Sequence, residues 1–119
     1  MHILIVDDMY TNRLRMGIVI RAMGYTFEEA ENGKIAIEKL QQANFDLILM
    51  DIEMPVMNGL ETTLHIRKFF NGEKRETKII AITAHNPEDF FKDYKGSGFD
   101  GLISKPLTKE KLSCFIPER

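Results

Sequence analysis

Polar residues that could do chemistry follow four of the five apolar segments of this chain. Asp7 and Asp8 follow the first segment, Asp51 the third, Thr83 the fourth and Lys105 the fifth. If these segments are parallel strands of one sheet, their carboxyl ends lie along the same edge. The four chain positions then meet there, and their side chains form one polar site.

Carboxylates, a hydroxyl and an amine are the groups that phosphoryl transfer uses. Three carboxylates repel one another unless a cation joins them, and a hard, oxygen-seeking ion such as Mg²⁺ or Mn²⁺ suits them. Thr83 offers a hydroxyl donor, and Lys105 offers a flexible positive charge that suits a phosphoryl oxygen. A carboxylate nucleophile in this setting could form an acyl phosphate.

The predicted strands are short apolar runs separated by segments with helical spacing. Four runs are almost continuously apolar, as expected for strands buried on both faces, whereas the second contains Thr26, Glu28 and Glu29 and suits an edge. The runs are His2–Val6, Tyr25–Ala30, Phe45–Met50, Lys78–Ile82 and Phe99–Ser104.

The intervening segments have the spacing of helices. Leu14, Ile18 and Ala22 step by four, as on one face of an amphipathic helix. The other helices are predicted from Ala36, Ile37 and Leu40, from Leu60 and Leu64, from Phe90, Phe91 and Tyr94, and from Leu112, Phe115 and Ile116. Alternating strands and helices predict a doubly wound α/β fold, with five parallel strands in the order 2-1-3-4-5.

Length and composition favour one globular domain. The chain has 119 residues, of which 44% are hydrophobic and 29% charged, with a net charge of −2. We expect a single domain over residues 1–119, with no nucleic-acid footprint and no membrane contact. Cys114 is the single cysteine, which excludes an internal disulfide and favours a cytoplasmic location.

Five segments resemble the receiver domains of bacterial response regulators and hybrid sensor kinases. The match runs from Ile3 to about Leu107, and its motifs are Ile3–Asp8, Asp46–Asp51, Met54–Pro55 with Asn58–Gly59, Ile80–Ala84 and Ser104–Pro106. The resemblance implies a flavodoxin-like (CheY-like) fold and a phosphoacceptor function in two-component signalling. Finer similarity at Asn12–Arg13, Thr83–His85 and Phe99–Gly101 favours the receiver of a hybrid histidine kinase, and an end after Pro117 would fit an excised piece.

The resemblance also implies roles for individual residues. Asp51 would be the phosphoacceptor, and Asp8 and Asp51 would bind Mg²⁺ directly together with the main-chain carbonyl of Glu53. Asp7 would act mainly through water. Thr83 would be the switch hydroxyl and Lys105 the phosphate contact.

Four further positions concern the rim of the site and its switch. The resemblance implies a cis peptide bond between Lys105 and Pro106. Family members usually carry Tyr or Phe three residues before the lysine, where this chain has Leu102, so an aromatic switch is in doubt. Glu53 and His85 flank the site, and we expect them to control the water that hydrolyses the acyl phosphate.

The expected partner is the phosphohistidine of a histidine kinase or of a histidine phosphotransfer domain. Family resemblance places its docking surface near Asn12 and Met16 and around Pro106 and Leu107. Three alternatives are weaker. A haloacid-dehalogenase-like phosphatase needs Asp-x-Asp after the first strand, a flavin-binding protein needs a phosphate loop there, and a degenerate interaction module would lack site residues.

Overall fold

A five-stranded parallel sheet forms the centre of the molecule. The computed structural model describes residues 1–52, 54, 56–84 and 98–116. The strand order is β2-β1-β3-β4-β5, and all four neighbouring pairs are parallel. This order confirms the predicted topology. The strands are β1 His2–Val6, β2 Thr26–Ala30, β3 Leu47–Asp51, β4 Lys78–Thr83 and β5 Gly101–Ser104.

Four helices are described between and after the strands. They are α1 Tyr10–Ala22, α2 Gly33–Gln42, α3 Gly59–Phe69 and α4 Lys109–Ser113. The helix predicted from Phe90, Phe91 and Tyr94 lies outside the described residues. None of the described helices is long and apolar enough to cross a membrane.

Alternating side chains of the strands fill two apolar layers, one on each face of the sheet. Ile3 and Ile5 of β1 point into the layer covered by α1 and α4, whereas Leu4 and Val6 point into the layer that α2 and α3 cover. Both layers are filled by fully buried residues. This double burial explains why β1, β3 and β4 are continuously apolar in sequence.

The polar strand β2 lies at the edge of the sheet, as predicted. Its Glu28 lies 2.8 Å from the His2 ring nitrogen Nε2 and 3.5 Å from Lys39 Nζ. The His2 hydrogen bond, and then the Lys39 charge, hold the pKa of Glu28 below its ordinary value of 4.5. The stabilisation that ionised Glu28 gains from His2 and Lys39 is therefore present above pH 4.5. It is lost as the pH falls through the lowered pKa of Glu28.

The four-residue steps in α1 and α3 mark outward faces rather than buried ones. Leu14 and Ile18 are 51% and 63% exposed, and Ala22 is exposed as well. In α1 the buried residues are instead Met16, Gly17 and Ile20. In α3 Leu64 is also exposed, and the buried residues are Gly59, Thr62, Thr63 and Ile66. The helices are therefore present as predicted, but these leucines and Ile18 do not build the core.

Candidate functional site

Three carboxylates meet at the carboxyl edge of the sheet. Asp7 and Asp8 directly follow β1, and Asp51 is the last residue of the neighbouring strand β3. Each residue offers one carboxylate oxygen, and these oxygens all lie within 4.8 Å of one another. Asp7 and Asp51 are buried, at 0% and 3% exposure, whereas Asp8 is exposed. The cluster is therefore open to solvent on the Asp8 side.

Lys105 supplies a positive charge to this cluster. Its Nζ lies 3.2 Å from Asp51 Oδ1 and 3.8 Å from Asp7 Oδ2. The Lys105 side chain is 29% exposed, so its amine lies at the boundary between the carboxylates and solvent. Since it balances one of three carboxylate charges, the described cluster still favours a further cation.

The backbone on both sides of Lys105 is fixed. The Lys105 amide donates to the Thr83 carbonyl at 2.7 Å, and the peptide bond between Lys105 and Pro106 is cis, as the resemblance implies. Lys111 of α4 donates from Nζ to the carbonyls of Ser104 and Pro106 at 2.9 and 3.1 Å. Lys111 therefore braces the segment that carries Lys105.

The sequence did not indicate this role for Lys111. Its two shorter contacts are to main-chain carbonyls, which every residue has, and only a longer one of 3.4 Å reaches a side chain, the Ser104 hydroxyl, so no pairing of side-chain types marks the role. The N-cap residue Thr108, whose hydroxyl accepts from the Lys111 amide at 3.2 Å, was the one local signal that α4 begins directly after the site loop.

Thr83 lies beside the acidic cluster as the last residue of β4. Asp51 pairs with Ile82 in the sheet register, so Thr83 is one residue further toward the carboxyl edge. The Thr83 side chain is buried at 2% exposure. Its hydroxyl is thus carried by a central strand, at the same edge as Asp51 and Lys105.

The donor set suits a hard divalent cation. Asp7 Oδ1 accepts a hydrogen bond from the Met9 amide at 2.9 Å, but Asp7 Oδ2 is buried and has no hydrogen-bond partner among the described residues. A buried carboxylate oxygen without a donor is costly unless a charge compensates it. Carboxylate oxygens are ligands that Mg²⁺ and Mn²⁺ accept, so the residues present fit such an ion.

Helix α3 begins directly against the end of strand β3. The Gly59 amide donates to the Ile52 carbonyl at 2.9 Å. A side-chain carbon at Gly59 would lie 2.8 Å from the Ile52 Cα and would also meet the Asp51 carbonyl oxygen. A capping box between Asn58 and Glu61 fixes this first turn. Glycine at position 59 thus allows α3 to approach the backbone of Asp51.

A cleft with a volume of about 260 Å³ adjoins the cluster. It lies between α1 and the loop after β5, and Asp7 and Lys105 form part of its wall. The other lining residues are Asn12, Arg15, Met16, Ile82, Pro106 and Leu107. The four residues at which the sequence places the docking surface therefore border one cleft that opens beside the acidic cluster.

The remaining predicted positions divide into two groups. Leu102 lies in β5, pairs with Ala81 and packs in a small apolar cluster with Ala81 and Ile52. Glu53 and His85 lie outside the described residues, so their predicted roles stay predictions.

Comparisons with known proteins agree with this geometry. The family model of the response regulator receiver domain matches residues 3–116. A two-component response regulator of Oryza sativa subsp. japonica is 36% identical over 118 residues, covering 96% of this chain and 90% of that protein. The sensor histidine kinase AruS of Pseudomonas aeruginosa is 34% identical over 118 residues, covering 99% of this chain. The chain spans 12% of the length of AruS.

A solved structure shares the fold over nearly its full length. The receiver domain of the sensor histidine kinase PA1611 from Pseudomonas aeruginosa superposes with a TM-score of 0.83 and 27% identity, covering 95% of this chain and 91% of that one. That structure has a magnesium ion coordinated in its active-site cleft. With the sheet order, the acidic cluster and the family model in agreement, the chain belongs to the response regulator receiver domain family of two-component systems.

Proposed function

We propose that Asp51 accepts a phosphoryl group from a phosphohistidine in a reaction that depends on Mg²⁺ or Mn²⁺, and that residues 1–119 act as a single receiver domain. One observation carries the proposal. Asp51 is 3% exposed, its Oδ1 lies 3.2 Å from Lys105 Nζ, and one of its carboxylate oxygens lies within 4.8 Å of an oxygen of Asp7 and of Asp8. This arrangement joins a nucleophile, a cation site and a positive charge at one strand end.

The transfer step is a displacement at phosphorus. A carboxylate oxygen of Asp51 forms the new bond to phosphorus, the phosphorus–nitrogen bond of the phosphohistidine breaks, and the imidazole leaves with the electron pair. Lys105 neutralises charge on the phosphoryl oxygens, and the Thr83 hydroxyl donates a hydrogen bond to one of them. In the slow self-dephosphorylation, a water oxygen bonds to phosphorus, the bond between phosphorus and the Asp51 oxygen breaks, and the Asp51 carboxylate is regenerated as inorganic phosphate leaves.

Asp8 and Asp51 would hold the metal directly, together with the main-chain carbonyl of Glu53, which lies outside the described residues. Asp7 would act mainly through water. A bound ion would supply positive charge to neutralise the carboxylates and the incoming phosphoryl oxygens. A cation at this cluster is supported by the three clustered carboxylates and by the buried Asp7 Oδ2 atom, which lacks a hydrogen-bond donor among the described residues.

A histidine kinase or a histidine phosphotransfer domain is the partner we propose. It would cover the cleft near Asn12, Met16 and Leu107 and bring its phosphohistidine to Asp51. The same helix also carries Tyr10, Leu14 and Ile18, which do not line the cleft and are 64%, 51% and 63% exposed. An apolar stripe of this kind suits contact with another protein.

We propose a signalling domain that reacts only on itself and turns over no separate substrate. In this respect the chain would act as the phosphoacceptor part of a hybrid histidine kinase or of a related regulator. The cytoplasmic location stays a prediction, based on the single cysteine and the composition. The absence of nucleic-acid and membrane contacts by this domain also stays a prediction.

Incubation with acetyl phosphate and Mg²⁺, followed by intact-mass measurement, tests the proposal. We expect the unsubstituted protein to gain one phosphoryl group, Asp51→Asn to gain none, and addition of a chelator to abolish the gain. Asp46→Asn is the matched control, because Asp46 precedes the same strand at the opposite edge of the sheet. An undiminished gain in Asp51→Asn would reject Asp51 as the acceptor.

A further inference from the structure

Hydrogen bonds hold three of the four polar main-chain and carboxylate atoms of Asp7. Its amide donates to the Ala30 carbonyl of β2 at 3.1 Å, and its Oδ1 accepts from the Met9 amide at 2.9 Å. Its carbonyl oxygen accepts from Arg13 Nη1 at 2.8 Å. The fourth atom, Oδ2, is buried without a hydrogen-bond partner among the described residues and lies 3.8 Å from Lys105 Nζ. The three tethers therefore set the position of the oxygen that faces the cluster.

The Arg13 tether comes from a side chain that is itself held in place. The Arg13 side chain is 14% exposed, and its Nε lies 3.1 Å from Glu29 Oε1 on β2. The ring of Tyr10 packs against the guanidinium, with its centroid 5.8 Å from Cζ. A planar guanidinium can donate in two directions at once, which a lysine amine on a flexible stem does less well. Arg13 thus connects Glu29 of the edge strand to the carbonyl of Asp7.

We infer that Arg13, anchored by Glu29, is a positioning residue for the acidic cluster. It does not contact the metal or the phosphoryl group, and it acts by holding the Asp7–Asp8 segment in the geometry that a divalent cation needs. The inference rests on the proposed function, because it assigns Arg13 a part in metal binding at the same site.

Electrostatics and positioning predict opposite effects when the Arg13 charge is removed. If Arg13 acted only through its charge, its removal would leave the three carboxylates less neutralised. The cluster would then bind Mg²⁺ more tightly. If it acts by positioning, its removal lets the Asp7–Asp8 segment move, and Mg²⁺ binding weakens. Loss of such supporting hydrogen bonds typically costs about 10–100-fold in metal affinity. The sign of the change therefore separates the two roles.

Calorimetric titration with Mg²⁺ at fixed ionic strength and below the unfolding transition tests the inference. We expect Arg13→Met to weaken binding by roughly tenfold or more. Arg21→Met is the matched control, since Arg21 is an exposed arginine of the same helix that packs on Phe27. It removes the same charge and should leave the Kd nearly unchanged or slightly lower.

Arg13→Lys provides a second, charge-preserving variant in case Arg13→Met does not fold. Its amine can reach Glu29 or the Asp7 carbonyl but not hold both, so we expect a Kd between those of the unsubstituted protein and Arg13→Met. Glu29→Gln should weaken binding in the unsubstituted protein and add little in the Arg13→Met background, because the anchor acts through Arg13.

The outcomes separate this inference from the proposed function. If the unsubstituted protein binds no Mg²⁺, the proposed function fails. If it binds Mg²⁺ while Arg13→Met binds equally or more tightly, or Arg13→Lys binds equally, the positioning role of Arg13 is overturned and the proposed function stands. Weaker binding by both Arg13 variants, with Arg21→Met unchanged, supports the inference.

Discussion

Two neighbouring aspartates differ in exposure and should differ in their share of metal binding. Asp8 is exposed, whereas Asp7 is buried and already uses Oδ1 to accept from the Met9 amide. We therefore expect Asp8→Ala to weaken Mg²⁺ binding more than Asp7→Ala, with the loss for Asp7 in the range of about 10–100-fold that supporting groups contribute. Equal or reversed losses in a calorimetric titration would contradict the assignment of Asp8 as the direct ligand.

Val56 occupies a backbone conformation that its side chain disfavours. Its φ angle is 71° and its side chain is 79% exposed, so little packing offsets the strain. Asparagine tolerates this region better, and Val56→Asn should raise the free energy of unfolding by about 1 kcal/mol. Urea unfolding measures the change, with Val56→Ala as the control because alanine lacks the side-chain amide that hydrogen-bonds the local backbone and should gain less. No gain with asparagine would show that Val56 is unstrained in solution.

The site residues could be predicted from the sequence, but the residues that support them could not. Asp7, Asp51 and Lys105 are polar groups directly after apolar strands, and parallel strands bring such positions to one edge. Arg13 and Lys111 instead donate to main-chain carbonyls. A carbonyl has the same chemistry at every residue, so the sequence does not indicate which one a basic side chain reaches.

At the junction between β3 and α3, the first turn of the helix lies against the backbone of Asp51. A methyl group at Gly59 would crowd the Ile52 Cα and the Asp51 carbonyl. Since overpacking typically costs about 1–3 kcal/mol, Gly59→Ala should lower the free energy of unfolding by that amount and should weaken Mg²⁺ binding by shifting Asp51. Denaturant unfolding and metal titration measure the two effects.

Gly72→Ala separates crowding from backbone strain in this experiment. Gly72 has a φ angle of 62°, but a β-carbon there would meet no atom of the described residues within 4 Å, its two chain neighbours aside. Its substitution should therefore cost only the strain of a positive φ, about 1 kcal/mol, and leave Mg²⁺ binding unchanged. If Gly59→Ala behaved like Gly72→Ala in both measurements, the close approach of α3 to Asp51 would have no functional consequence.

Strand β5 carries Leu102 at the position where the resemblance to receiver domains leads us to expect an aromatic switch residue. Leu102 packs in a small apolar cluster with Ala81 and Ile52 and has neither a ring nor a hydroxyl. Phosphorylation should therefore change the packing of β5 only slightly, and the coupling should lie toward the low end of about 1–3 kcal/mol. Amide exchange of β5 with and without Mg²⁺ and beryllofluoride measures it.

Leu102→Tyr is the matched comparison for this prediction. The ring restores the group that fills the space behind Thr83, so the variant should show larger protection changes in β5 than the unsubstituted protein. Large changes in the unsubstituted protein would show that Leu102 transmits the signal as well as an aromatic residue does.

The spacing of apolar residues predicts that a helix is present but not which of its faces is buried. The four-residue spacing of Leu14, Ile18 and Ala22 correctly indicates a helix, but these residues face outward. A helix that packs on a sheet and also presents an apolar outer face has two apolar stripes, and spacing alone does not rank them. Gly17 shows which stripe is buried, since a β-carbon there would lie 2.6 Å from the Phe27 ring.

At the scale of the whole molecule, the sheet explains why the site could be predicted at all. Parallel strands buried on both faces need continuous apolar sequence, and they end where polar residues begin. The order β2-β1-β3-β4-β5 then places β1 and β3 side by side, which brings Asp7 and Asp8 to Asp51. The distances within the cluster required the structure, because they depend on the loops after the strands.

Reductive trapping of the phosphorylated protein tests the central claim most directly. Borohydride reduces an aspartyl phosphate to the alcohol, which converts that aspartate to homoserine in a peptide that mass spectrometry can sequence. After treatment with acetyl phosphate and Mg²⁺, we predict homoserine at position 51 and unmodified aspartate at positions 7, 8 and 46. Homoserine at another position, or a stable phosphoryl group on a different side chain with position 51 unmodified, would contradict the account.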